Sequence, residues 1–270
     1  MLFALLLSLF VQAGVLPAQP SPAVRASDSL EATIRIAFAK TGTMAGDAGP
    51  YAAFGPILVQ MLTPEGPAEI RYTVSEDAMR AELVGRVGPL PRGTVVLQRV
   101  GETTMQVLNP EQKTWYAVSS EQTLGLLLGT PDIDIQPTGE HATIAGERAD
   151  RFHFSETLHV PAPEGVSLPP DFPRDVQFTG ELWSTTALAG DRYAAVLKTM
   201  QTFAAIPGID ALTAGGRFPL RMTLGSDLLG GYVLQTEVTS LRTTTTDRTK
   251  FMVPSDYQRV EPPFGKVARD

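Results

Sequence analysis

The chain has 270 residues, a formal net charge of −7 and no cysteine. Without cysteine there can be no disulfide, no thiolate metal site and no lipid-modified cysteine, so the protein is not predicted to be a lipoprotein. The acidic balance argues against nucleic acid and anionic lipid headgroups as partners, because both favour basic surfaces.

The N-terminal residues predict export. Residues 1–16 are uncharged and apolar apart from Ser8 and Gln12, which is typical of a secretory signal, and they are shorter than the roughly 20 residues that span a bilayer as a helix. We assign residues 1–26 to a signal peptide, with cleavage after Ala18 or Ala26; an uncleaved anchor is the alternative. Removal of these residues leaves 21 basic and 29 acidic residues, a net charge of −8. The expected location is the periplasm or the cell exterior.

Alternating apolar and polar residues dominate the rest of the chain and predict a mainly β protein. In Leu30–Ala39 every second residue from Leu30 to Phe38 is apolar, a pattern typical of a half-buried strand. We expect about eleven strands in one antiparallel domain over residues 28–263. The predicted strands are Leu30–Ala39, Ala68–Val74, Ala78–Val84, Thr94–Val100, Thr103–Leu108, Thr114–Val118, His141–Ile144, Arg148–Leu158, Val176–Ser184, Phe218–Leu224 and Tyr232–Thr244.

Two segments carry helical patterns. Ser119 and Gln122 form a capping-box pair ahead of a leucine-rich turn that Gly129 ends. Residues 192–204 place apolar side chains at helical spacing and end at Pro207. Such an apolar stripe must be buried, and we expect one or two helices to pack on the concave face of a curved sheet.

No motif predicts catalysis or metal binding. Nucleophile-elbow, zinc-protease and phosphate-loop patterns are absent from the sequence. Six residues apart in a strand, His153 and His159 would lie about 20 Å from each other, too far to share a metal. Asp132 and Asp134 fit a cation site or, more simply, a solvated strand edge. We predict no catalytic residue, no metal and no cofactor; an enzyme with unrecognised carboxylate chemistry is a further alternative.

One tryptophan needs a structural reason. Trp183 is expected on the same strand face as Glu181, opposite Phe178 and Leu182. An aromatic side chain of this size is usually covered. It either packs beneath a loop or helix or forms the wall of a ligand cavity, and the sequence leaves both interpretations open.

Several short motifs resemble an uncharacterised family of exported bacterial proteins with the fold of the lipoprotein-localisation carriers (LolA/LolB-like). The resemblance covers roughly residues 30–258 and implies an incomplete β-barrel around an apolar cavity, capped by helices. Characterised members of that fold carry acyl chains or bind lipoproteins. The motifs are, in chain order, Asn109-Pro110 before Lys113-x-Trp115-Tyr116, Ile144-x-Gly146 before Arg151-Phe152, Glu181-Leu182-Trp183-x-Thr185, Phe218–Met222, Glu237–Thr239 and Phe251-x-Val253-Pro254-x-x-Tyr257.

The expected fold also predicts a function. We predict a non-catalytic periplasmic binding or carrier protein for an acyl chain, lipid or other apolar ligand. The alternative is a structural or interaction protein of the cell envelope, with a filled core and a protein partner. No nucleic acid partner is expected. The predicted ligand-binding residues share the apolar side of their strands: Ile34, Ile36, Phe38, Ile70, Tyr72, Phe152, Phe154, Leu220 and Met222.

Overall fold

The computed structural model describes most of the chain after the predicted signal peptide. That signal peptide, the leucine-rich segment after Ser119 and the predicted helix over residues 192–204 lie outside the described residues; Ser119 itself ends a strand. The described residues are 27–40, 56, 57, 59, 60, 63–100, 102, 104–119, 132–159, 175–188, 217–226 and 229–262.

The described part of the chain is mainly β, as predicted. It contains twelve strands and a short 3-10 turn at Arg248–Phe251. The strands are β1 Ser27–Lys40, β2 Ala68–Val74, β3 Ala78–Leu83, β4 Val95–Arg99, β5 Thr104–Asn109, β6 Thr114–Ser119, β7 Asp132–Ile144, β8 Glu147–His159, β9 Asp175–Thr185, β10 Phe218–Ser226, β11 Tyr232–Thr246 and β12 Gln258–Arg259.

All twelve strands belong to one sheet that is not closed. Their order is β12-β6-β5-β4-β3-β2-β1-β11-β10-β9-β8-β7. The pairs are antiparallel, apart from the short parallel pair of β12 with β6. The first strand lies in the middle, between β2 and β11, so the sheet joins the beginning and the end of the described chain.

Eleven of the strands match predicted ones, and β7 shows the largest difference in length. The alternation predicts a strand from His141, whereas β7 begins at Asp132. A register shift between Pro137 and His141 interrupts its pairing with β8. Because such a bulge changes which side chains share a face, the alternation that predicts a strand is broken there.

Further register shifts redirect side chains elsewhere. One lies between Thr33 and Ile34 in the pairing of β1 with β11, and another between Pro219 and Arg221 in the pairing of β10 with β9. Bulges bend a strand and increase its local twist. β10 and β11, which carry the extra residue in these two pairings, are therefore bent at those positions.

A large core lies for the most part on one face of the sheet, which we call the apolar face. We call this core the first cluster. Its buried members come from β1, β2, β3, β5, β7, β8, β10 and β11, so it spans most of the sheet. They are Leu30, Ala32, Ile70, Tyr72, Val74, Met79, Ala81, Leu83, Met105, Ile144, Ala149, Phe218, Leu220 and Val238.

The opposite face is also covered at one end. The C-terminal residues after β11 return across this face, and the 3-10 turn packs against β3 with Phe251 4% exposed. A further group, here called the third cluster, buries Val95, Leu97 and Leu108 against Trp115, Val253 and Tyr257. Asp247 caps the 3-10 turn by accepting a hydrogen bond from the Thr249 amide at 2.9 Å, and the Lys113 ammonium lies 2.9 Å from the Asp256 carboxylate. β3–β6 are therefore covered on both faces.

Candidate ligand-binding site

The structure divides eight of the nine predicted ligand-binding residues between two groups. Ile70, Tyr72 and Leu220 are buried in the first cluster, and Ile34 and Ile36 pack against it. Phe152, Phe154 and Met222 are buried in a separate group, here the second cluster, with Leu182 and Leu224. Phe38 is half-buried and belongs to neither cluster.

The strand register explains this division. Phe152, Leu182, Met222, Thr236 and Ile36 follow one another across β8, β9, β10, β11 and β1. Neighbouring strands lie about 4.8 Å apart, so Met222 and Ile36 are separated by about 10 Å. The position between them is a threonine, which interrupts the apolar row. The predicted single surface is therefore two apolar areas on one face.

A glycine allows the second cluster to form. Gly180 pairs with both Phe154 and Leu224. A Cβ added at Gly180 would lie 2.0 Å from the Thr223 carbonyl oxygen and 2.8 Å from Cζ of the Phe154 ring. Only the absence of a side chain lets the phenyl ring lie across β9. The ring covers a backbone position that would otherwise be a gap in the apolar face.

A carboxyl group is buried at one end of the second cluster. Glu156 follows Phe154 by two residues on β8, and its relative exposure is 2%. In the register its neighbours are Ile133 on β7 and Phe178 on β9. Within the described part of the chain, its Oε1 atom has no hydrogen-bond partner. Burial raises the pKa of Glu156 to about 8, so at neutral pH the carboxyl is mostly protonated and uncharged.

An arginine lies at the other end of the second cluster. The guanidinium of Arg217 stands 4.6 Å from the centroid of the Phe152 ring. This arrangement is a cation–π contact, which holds a charge against an aromatic face. Phe152 and Glu156 are four residues apart on one strand, about 13 Å. The second cluster thus has a cation at one end and a neutral acid at the other.

Among the predicted ligand-binding residues in the first cluster, Tyr72 carries a polar group, its hydroxyl. Tyr72 is 8% exposed, and burial raises the pKa of its hydroxyl to about 12. The hydroxyl therefore stays protonated at physiological pH and remains a hydrogen-bond donor. Around it the first cluster is filled by the chain's own apolar side chains.

Trp183 lies in a network with charged side chains. The Arg151 guanidinium is 5.6 Å from the centroid of the Trp183 ring and donates hydrogen bonds to Glu140, at 2.6 Å, and to Glu181. These two carboxylates raise the pKa of Arg151, Glu181 contributing most. The indole also packs against the first cluster. Of the two interpretations of Trp183, the observed contacts are those of a packed side chain.

The histidines and acids considered for metal binding are dispersed. Nδ1 of His141 is 2.7 Å from the Asp150 carboxylate, and His153 is exposed on β8. Asp134 accepts a hydrogen bond from Gln136 at 2.8 Å on β7, a strand at the edge of the sheet. In the ranges that the structure describes, no three His, Asp or Glu side chains are grouped so that they could hold a metal ion.

Comparison with known proteins gives a distant structural match. No family model matches the chain, and no curated protein matches it. The chain is similar to an uncharacterized conserved protein from Thermus thermophilus of known crystal structure, with 12% identity and a TM-score of 0.42. The match covers 87% of this chain and 91% of that chain. The described residues include no helix with the length and hydropathy that a membrane span requires.

Sequence reasoning missed Glu156, although a signal for it was present. In the predicted strand Arg148–Leu158, the side chains of Phe152, Phe154 and Leu158 share one face by alternation. Glu156 occupies the same face in that sequence. A charged residue in an apolar series is an informative exception, because a buried acid is normally paired.

Proposed function

We propose that the protein binds an acyl chain or a similar apolar ligand, without catalysis, at the second cluster. The observation that supports this most is the combination of that cluster with the buried, unpartnered carboxyl of Glu156. Ligand sites are mostly apolar and contain a few polar groups that orient the ligand. A protein filled only for stability gains nothing from such a group, because its burial without a partner is costly.

We further propose that the protein is a half-barrel and that it is exported to the periplasm. An incomplete LolA/LolB-like barrel, with one or two helices over its concave face, would enclose the second cluster and exclude water from it. The open sheet and its three register shifts are compatible with such curvature. The apolar N-terminal residues support export.

A second candidate function is supported by the first cluster. Its fourteen buried side chains, which come from eight strands, pack against one another, so that part of the apolar face is occupied by the chain's own side chains. A structural or interaction protein of the cell envelope would need only such a filled core, together with a surface for a protein partner. The two candidates differ in whether the second cluster takes up a ligand.

Two leucines on β11 provide a matched test. Leu234 packs against the second cluster and Leu241 against the first, and both are half-buried. We expect Leu234→Trp to weaken the uptake of N-phenyl-1-naphthylamine, an uncharged fluorescent probe, by at least about tenfold. A larger ring would occupy ligand space, and a tenfold loss corresponds to only about 1.4 kcal/mol. Leu241→Trp should leave probe affinity unchanged.

Probe titration of the full chain and the melting temperature of each variant complete this test. A wild-type protein that takes up no probe at tens of micromolar would favour the structural candidate. If both substitutions weaken probe binding equally and the melting temperatures of the two variants match, the probe does not bind at the second cluster.

A further inference from the structure

The carboxyl of Glu156 faces apolar surroundings on each neighbouring strand. Ile133 approaches it from β7, Phe178 from β9, and Phe154 precedes it on the same face of β8. None of these side chains titrates. Among the side chains that the structure describes, the nearest charged or titratable ones in the register, Asp134 and His153, alternate to the opposite face.

An unpartnered carboxyl in such surroundings has a limited chemical repertoire. Burial disfavours its charged form, and the pKa of about 8 keeps most of the group protonated at pH 7. A protonated carboxyl donates one hydrogen bond and accepts others. It therefore suits a partner that is uncharged and can both accept and donate.

We propose that Glu156 recognises the headgroup of the bound ligand, and that this ligand is a long-chain amphiphile with an uncharged hydroxyl headgroup. This inference rests on the proposed function and specifies the ligand class. With the headgroup at Glu156, the hydrocarbon chain would extend along Phe154 towards Phe152, over about 13 Å of the second cluster.

Charged headgroups fit this position less well. A carboxylate or phosphate would have to enter low-polarity surroundings beside an acid, and ionised Glu156 would repel it. An ammonium group would pair with ionised Glu156, but both charges would have to leave water, and their attraction does not reliably offset that cost. An alcohol avoids both penalties and satisfies the unpartnered oxygen.

Competition by three twelve-carbon amphiphiles tests the headgroup. N-phenyl-1-naphthylamine bound to the full chain at pH 7 is displaced by 1-dodecanol, dodecanoate or dodecylamine, each below its aggregation concentration. We expect dodecanol to compete at least about tenfold better than either charged compound, the value of one hydrogen bond to a buried group. Glu156→Gln should keep that preference, because an amide also donates and accepts. Glu156→Leu should weaken competition by dodecanol and leave competition by dodecanoate and dodecylamine unchanged.

The outcomes distinguish a failure of the headgroup inference from a failure of the proposed binding function. Dodecanoate competing as well as dodecanol would place the headgroup elsewhere, with Arg217 as the group to substitute next, and would overturn the inference. The same conclusion follows if dodecylamine competes best, or if Glu156→Leu leaves the dodecanol affinity unchanged. If the wild type still takes up the probe in those cases, the proposed apolar binding site is retained and only the headgroup inference is rejected. No uptake of the probe by the wild type would contradict both the inference and the proposed function.

Discussion

The two ends of the sheet bury their side chains differently. β4 and β5 are apolar on both faces: Val96 packs against the first cluster, whereas Val95, Leu97 and Leu108 form the third cluster on the other side. β8 to β10 are apolar on the face of the second cluster, and their other face carries Trp183 among ion pairs such as Arg221 with Glu237 at 2.5 Å. At the end with β4 and β5, the gain in stability from burial is sufficient to explain why both faces are apolar. At the end with β8 to β10, stability does not explain why Glu156 is buried on the apolar face.

The largest expected effect tests the two-sided end. Phe251→Ala should reduce the free energy of unfolding by about 3–5 kcal/mol, because it empties a buried site beneath the C-terminal residues. The exposed neighbour provides the control: Met252 is 50% exposed, and Met252→Ala should change stability by less than about 0.5 kcal/mol. Urea denaturation at pH 7 measures both. A loss below about 1 kcal/mol for Phe251→Ala would mean that the C-terminal residues contribute little to the core.

The next effect concerns the one-sided end and depends on pH. The pKa of Glu156 rises from 4.5 to about 8 on folding, so between these values the folded protein keeps a proton that the unfolded chain releases. Stability therefore falls as the pH rises through this window, by up to about 4 kcal/mol. Glu156→Gln removes the titrating group. The variant should match the wild type near pH 4 and be the more stable protein near pH 9.

Urea denaturation of wild type and variant at pH 4, 7 and 9 measures this difference. Glu111→Gln, at an exposed position between β5 and β6, controls for the loss of one negative charge. If the difference between wild type and Glu156→Gln is the same at all three pH values, the buried carboxyl does not titrate in this window.

The sequence predicted the strands well because alternation is a local property. Ala68–Val74 was predicted with the bounds that the structure has, and each of its inward residues is buried. The start of β7 was missed because the bulge before His141 moves the apolar positions from odd to even numbers. Alternation cannot reveal such a change unless the pairing partner is known.

The candidate site was only partly predictable. That Phe152, Phe154 and Met222 share an apolar face follows from their positions in the strands. The separation of these residues from Ile34 and Ile36 depends on which strands are neighbours, and β1 pairs with β11 across some 200 residues of sequence. Long-range pairing of this kind is not encoded in a local pattern, so one predicted surface became two.

The smallest effect compares the two cation–π contacts, one at each end of the sheet. Arg217 lies 4.6 Å from the Phe152 ring and Arg259 lies 5.2 Å from the Trp115 ring. The shorter distance favours the first contact, whereas the stronger quadrupole of tryptophan favours the second. We therefore expect Arg217→Met and Arg259→Met each to reduce stability by about 0.5–1 kcal/mol, since methionine retains most of the apolar stem. Urea denaturation of the two variants gives the comparison.

Arg217→Met should also leave the competition by dodecanol unchanged, because the proposed headgroup position is at the Glu156 end of the second cluster. A tenfold loss of dodecanol affinity in Arg217→Met, with stability as expected, would reverse the orientation of the ligand along β8.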